Sequence, residues 1–238
     1  MGSGGAHPGR LVAADLTGRA LNAALALVIA PACAVCGSAL EEPLRGPVCG
    51  ACWAATITAP LSWQPPNGAS LDVVMSAGPY DGTLRDIIHA WKFEGRQGLA
   101  RPLASLVRRY CGDALEGADV IAPVPMTPWR QWRRGFNQAH DLAVRLGMPS
   151  ARVLARWRPR PAQSTLPSAQ RRRNLDTSIL VRPGRRAAIR DRVVVLVDDV
   201  VTTGATLEAC AAALKTAGAR EVRAVTVAQT LLRGGASL

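Results

Sequence analysis

The run Val193-Val194-Val195-Leu196-Val197, followed directly by Asp198-Asp199 and then by Thr202-Thr203-Gly204-Ala205-Thr206, narrows the folds open to this chain. Five consecutive aliphatic residues leave no polar face. The strand they predict must be covered on both sides, as the central strands of parallel sheets are. A helix is expected over Ala205 to Ala217, closed by Gly218, and another strand over Val222 to Val227. That order is a β-α-β unit, and parallel sheets bind ligands just beyond the carboxyl ends of their strands.

The loop opening the helix is small and hydroxyl-rich. Its backbone N–H groups can converge on an anion, helped by the helix N-terminus, and a terminal phosphate is the natural guest. Carboxylates beside such a cradle would repel the phosphate, so Asp198 and Asp199 must face something else. Sugar hydroxyls, directly or through Mg²⁺, satisfy them. A phosphorylated ribose offers both partners. The bland alternative is a capped helix after a buried strand.

Upstream, the spacing predicts a strand over Leu71 to Ser76, and helices through Leu84, Ile87, Ile88 and Trp91 and through Leu99, Leu103, Leu106 and Val107. A strand over Asp119 to Ala122 is stopped by Pro123 and Pro125. A helix over Asn137 to Leu146 and a short strand over Arg152 to Ala155 follow. Residues 156–178 show no apolar period and read as a long functional loop. Residues 1–32 read as a Gly-rich tail and a short docking helix, with a cleaved signal as the less favoured reading. Residues 60–70, rich in Pro and Gly, read as a linker to a main domain over 71–238.

Between tail and linker, in 33–59, lie Cys33-x-x-Cys36 and Cys49-x-x-Cys52. Two such knuckles supply the four thiolates of a closed, structural Zn²⁺ site. A redox pair or a disulfide is the competing reading, and spacing alone does not separate zinc from iron. Six cysteines in 238 residues, only four of them paired in motifs, fit a reduced cytoplasmic protein better than a secreted scaffold.

The formal charge is +12, and twelve arginines against Asp176 and Asp191 put +10 of it between Arg152 and Arg192. Such a field attracts phosphate-rich ligands or nucleic acid, and a solvated basic loop is the alternative that charge alone does not separate. Trp53, Trp129, Trp132 and Trp157 lie near arginines or the knuckle, where they can stack bases or simply pack a core. Pro125-Met126 followed by Arg134 places a bidentate donor beyond a strand end, as diphosphate recognition needs. Lys92 is one of only two lysines in an arginine-rich chain, which hints at a need for a compact ammonium.

Taken in order, the cysteine knuckles, Tyr80 with Lys92-Phe93, Pro123-Val124-Pro125, Arg134-Gly135-Phe136-Asn137-Gln138, Gln163 to Leu166, Arg171 with Asn174, and the Asp198-Asp199 and Thr202–Thr206 motif resemble the ComF family of competence-associated, GntX-like proteins. The resemblance covers about Ala30 to Gln229. It implies an α/β, parallel-sheet type I phosphoribosyltransferase fold behind a small N-terminal zinc finger with four cysteine ligands. It implies a site for phosphoribosyl diphosphate with Mg²⁺, built from Lys92, Pro125, Met126, Asp198, Asp199, Val201, Thr202, Thr203, Gly204, Ala205 and Thr206. Asp198 and Asp199 would orient the ribose, Arg134 and Arg171 would stabilise a leaving diphosphate, and 156–178 would be a hood loop. It also implies service in DNA uptake or natural competence, with single-stranded DNA and the uptake machinery as partners. The motif leaves two readings open: a binding protein, or an active phosphoribosyltransferase of nucleotide metabolism acting on a base or amine.

Overall fold

The computed structural model describes residues 31–56, 58–156 and 179–231. The chain divides into two compact units between Thr56 and Ile57. The expected docking helix before Pro31, Trp157, the Gln163–Leu166 segment, Arg171 and Asn174 lie outside the described residues.

In the smaller unit, α1 (Gly50–Ala54) begins at Cys49, whose thiol accepts from the Cys52 N–H. Among its described residues Cys33, Leu40, Val48 and Cys52 are buried. Those four side chains are too little apolar surface to hold residues 31–56 by themselves.

The larger unit is built on a five-stranded sheet. Its strands are β1 (Leu61–Trp63), β2 (Val73–Ser76), β3 (Val120–Pro123), β6 (Val193–Val201) and β7 (Glu221–Gln229). Their spatial order is β1-β2-β7-β6-β3. All pairings are parallel except the edge pair β1–β2. The helices are α2 (Gly82–Phe93), α3 (Ala100–Tyr110), α4 (Gly112–Leu115), α5 (Pro128–Arg134), α6 (Gln138–Ala143) and α7 (Ala205–Thr216). A separate antiparallel ribbon pairs β4 (Leu154–Arg156) with β5 (Ile179–Val181).

Val193 to Val197 are all buried, as the uninterrupted aliphatic run requires. Each such side chain contributes about 1.5–3 kcal/mol on leaving water. Helices α6 and α7 cover β6, and α3, α4 and α7 pack on β7. Several polar groups inside the sheet are matched. Ser76 and Thr226 share a 2.7 Å hydrogen bond. Asp119 accepts from the Val193 N–H at 2.8 Å and Asp72 from the Val222 N–H at 2.7 Å, pinning the starts of β6 and β7. Glu208 on α7 accepts from the Ser70 and Leu71 N–H groups and fixes the chain entering β2.

Three elements differ from expectation. The 60–70 linker contains β1, a strand defined by pairing with β2 rather than by its own pattern. Strand β6 does not end at Val197. It continues through Asp198 and Asp199 to Val201, because β7 supplies ladder partners as far as Gln229. The helix expected from Asn137 is shorter, ending at Ala143, and Asn137 is its cap.

Candidate functional site: an acidic pair, a lysine and a phosphate loop

Asp198 and Asp199 stand on β6, half-buried, at the end of the aliphatic run. Their backbone is laddered to β7, so the carboxylates leave a rigid strand. The Asp199 N–H donates to Asp198 Oδ1 at 2.8 Å. Lys92 closes α2, and its ammonium lies 3.0 Å from Asp199 Oδ1. The two side chains are only 12% and 14% exposed. The same ammonium sits 5.9 Å from the centre of the Tyr80 ring.

Burial pushes the Asp198 carboxyl up to about 7, and the neighbouring Asp199 charge pushes the same way. The Asp199 N–H, Lys92 and Arg134 pull it back in part. Two carboxylates this close share one local field, so the first to ionise suppresses the second.

Arg134 ends α5, and Gly135, at φ 77°, turns the chain in the left-handed region. The guanidinium lies over the Phe93 ring at 4.8 Å, and its Nη1 donates to Gln138 Oε1 at 3.4 Å. Asn137 caps α6 through the His140 N–H and donates its amide to the Val124 carbonyl at 3.2 Å. The Val124 N–H in turn donates to the Val197 carbonyl. The turn Val124–Met126 is thereby tied to the strand bearing the acidic pair.

These groups enclose a cavity of about 220 Å³, lined by Lys92, Pro125, Met126, Arg130, Arg134, Gln138, Asp198, Asp199 and Thr206 among others. Arg134 Nε and Gln138 Nε2 are buried donors without a partner. Leaving such donors unmatched costs about 1–3 kcal/mol each, a cost that a bound acceptor relieves.

The loop after β6 is built around Gly204, whose φ is 75°. A Cβ there would lie 3.2 Å from two ring carbons of Trp63, so the indole of β1 closes over the loop. The Ala205 N–H donates to Thr203 Oγ1 at 3.4 Å, and α7 starts at once. Thr206 faces the cavity, while Thr202, Thr203 and Ala205 are exposed. Val201 is 3% exposed and its side chain belongs to the core, so a ligand can meet it only through its backbone.

Asp198, Asp199, Lys92, Pro125, Met126, Arg134 and Thr206 are thus brought together around one cavity. Trp63 was not singled out from the sequence, and Gln138 only as a member of its motif. Gln138 had a signal, since it closes the Arg134–Gln138 motif. Trp63 had none.

In the smaller unit, the four sulphurs of Cys33, Cys36, Cys49 and Cys52 lie within 4.8 Å of one another. Two pairs are 3.9 and 3.7 Å apart. A tetrahedron with Zn–S bonds of about 2.3 Å has edges of about 3.8 Å, so the cluster fits zinc. The thiols are free, not bridged. N–H groups of Val35 and Cys49 point at Cys33 Sγ. Burial raises the Cys33 thiol, but backbone N–H groups outweigh it and the net direction is down. The Ser38 hydroxyl lowers Cys36 to about 6. Burial raises Cys52. A metal bound there would hold all four as thiolates.

A parallel sheet with a strand-borne acidic pair and a Thr-Thr-Gly-Ala-Thr loop defines a type I phosphoribosyltransferase fold, and the phosphoribosyl transferase domain model matches residues 132–235. Competence protein F of Haemophilus influenzae is 32% identical over 203 residues, 81% of this chain and 82% of its own. The DNA utilization protein of Escherichia coli is 31% identical over 195 residues, 77% of this chain and 78% of its own. The chain belongs to this competence protein F family. A hypoxanthine phosphoribosyltransferase from Staphylococcus aureus aligns over 60% of this chain and 67% of its own, at 15% identity and TM-score 0.36. That likeness is too low to add to the fold assignment.

Proposed function

We infer that the cavity binds 5-phosphoribosyl 1-diphosphate with Mg²⁺, and that the protein serves DNA uptake from the cytoplasm. The observation that carries the ligand reading is the pair of orphaned donors, Arg134 Nε and Gln138 Nε2, in one cavity with Asp198 and Asp199. Donors without acceptors call for an anion, and the carboxylates beside them call for hydroxyls. A diphosphate on a ribose brings both. The loop Val201–Thr206 would take the 5′-phosphate, Asp198 and Asp199 the 2′- and 3′-hydroxyls, and Pro125, Met126, Arg134 and Lys92 the diphosphate side. Mg²⁺ would be held by ligand oxygens and the free carboxylate oxygens, and would supply charge neutralisation.

If the site also transfers the ribosyl group, a nucleophile forms a bond to C1′ as the bond to the diphosphate oxygen breaks and the diphosphate leaves with the electron pair. Arg134 would meet the charge that develops on the leaving group, and the acidic pair would hold the ring in place. The test is a calorimetric titration of phosphoribosyl diphosphate with Mg²⁺ against the wild type and Asp199→Asn. Saturable binding that the variant loses supports the reading. No binding to either protein sinks it.

Service in DNA uptake is supported by the family, whose relatives are named for competence and DNA utilization. It is also supported by α5, where Trp129 is 51% and Trp132 82% exposed and the Arg133 guanidinium lies 4.9 Å from the Trp129 ring. Exposed indoles beside arginines suit stacking on single-stranded bases. Filter binding at several salt concentrations checks this, with a steep fall expected. Among the described residues no helix is long and apolar enough to cross a membrane.

A further inference from the structure

Beside the phosphoribosyl cavity lies a second cleft of about 140 Å³, between the turn after β3 and the β4–β5 ribbon. The two share Pro125, Met126, Asn137 and Arg156 as a common wall. Arg152, Arg156 and Arg182 line the second cleft together with Gln131, and among the described residues no Asp or Glu does. Among the described residues neither Arg152 nor Arg182 forms an ion pair. Arg182 Nε donates to the Leu154 carbonyl at 3.0 Å, which orients the guanidinium and leaves its other N–H groups for a guest. The charge of Arg152 is felt nearby: the His140 pKa is lowered first by burial and next by that guanidinium.

Guanidiniums gathered around one small space repel one another. No acidic group of the described lining offsets the charges of Arg152 and Arg182, so an anion is the group that stabilises them. Planar donor forks match the oxygens of a phosphate in pairs. At about 30 Å³ per water, the cleft holds four or five waters, which is room for a phosphate and the start of its ester. A neutral base would leave the charges of Arg152 and Arg182 unmatched.

We propose that this cleft is the second-ligand subsite of the phosphoribosyl site and that it takes a nucleotide by its phosphate, not a free base. The proposal rests on the ligand reading above. The phosphate belongs either to a mononucleotide or to the backbone of a strand, and one set of titrations separates them.

The full chain is titrated with deoxyadenosine 5′-monophosphate, with deoxyadenosine, and with a 5′-hydroxyl oligothymidylate. The proteins are the wild type, Gln131→Glu, and the double variant Arg152→Gln/Arg182→Gln. Gln131, Arg152 and Arg182 are exposed, so the substitutions spare the core. The monophosphate should bind at least about tenfold more tightly than the nucleoside, and both variants should lose about tenfold of that affinity. Phosphoribosyl diphosphate should bind all three proteins alike. Equal affinity for nucleotide and nucleoside overturns the proposal. So does a parallel loss of phosphoribosyl diphosphate in the variants, which would make the cleft part of the first site. If the wild type takes the nucleotide but not phosphoribosyl diphosphate, the earlier reading fails while the phosphate cleft stands. An oligothymidylate that displaces the monophosphate and is lost in the same variants keeps the cleft and assigns it a backbone diester. An oligothymidylate without effect keeps it and assigns a terminal monoester.

Discussion

Lys92 Nζ lies 3.0 Å from Asp199 Oδ1, whereas Asp198, next to it on β6, has no cation in ion-pairing reach among the described residues. One ammonium, helped at longer range by Arg134, therefore answers for two carboxylates.

Removing that ammonium should be costly. Lys92→Met leaves Asp199 buried and unpaired, and breaking such a pair from one side costs about 3–5 kcal/mol. Adding Asp199→Asn removes the stranded charge. The double variant should then be more stable than Lys92→Met alone. Urea unfolding of the three proteins at neutral pH checks this ordering. A Lys92→Met protein as stable as the wild type would show that the pair is energetically idle.

Asp198 should impose a pH dependence. Its folded pKa of about 7 is raised above the unfolded value of 3.8 by burial and by Asp199. Its neutral form is the one the fold favours. The associated stability is full below about pH 4 and is lost as the pH rises through about 7. Asp198→Asn should flatten that slope. At pH 8 it should gain at least about 1 kcal/mol, or about 2–4 °C in Tm for a chain of this size. Ligand affinity should move in the opposite sense, rising toward pH 7 as the carboxylate forms that accepts the ribose hydroxyls. Thermal melts and titrations across pH 5–8 test both trends.

Gly204→Ala should damage loop and fold together. The left-handed backbone costs a side chain about 1–2 kcal/mol. The new Cβ would also press on Trp63, 3.2 Å away. Together these predict a loss of about 2–4 kcal/mol and weaker binding of phosphoribosyl diphosphate. Trp63→Leu in the same chain should recover part of the stability, because it removes the crowding but not the strained φ. No recovery would mean that Trp63 gives way without cost.

The cysteine cluster should hold one metal ion per chain. Elemental analysis should return zinc, and chelation should melt residues 33–56 while the sheet unit keeps its strands. Cys33→Ser removes the most deeply buried ligand, 3% exposed, and should abolish the metal. Amide exchange resolves the two units and checks this. Unchanged protection in 33–56 after chelation would refute it.

How much of this was legible in the sequence varies with distance along the chain. Strand β6, helix α7 and the cysteine cluster rest on local patterns, and those residues are where the patterns put them. Lys92 was marked by composition and by the family resemblance, and its partner lies more than a hundred residues away. Strand β1 is three residues long and exists because β2 pairs with it, so no local signal announces it. Trp63 acquires its role over Gly204 only through that pairing. The extension of β6 to Val201 is likewise written in β7, not in the residues of β6. Gln138 reads as an ordinary first-turn polar residue, and its unmatched amide emerges only once α6 is packed.

The ladder that carries Asp198 and Asp199 beyond the aliphatic run also sets how the site can respond to a guest. The Asp198 position is registered against Thr226 and Val200 against Ala228, so the main chain under the carboxylates cannot follow an incoming sugar. Accommodation would fall to the Lys92 side chain and to the hydroxyl loop one step downstream. Half of the grip is cast before the ligand arrives, and half is moulded around it.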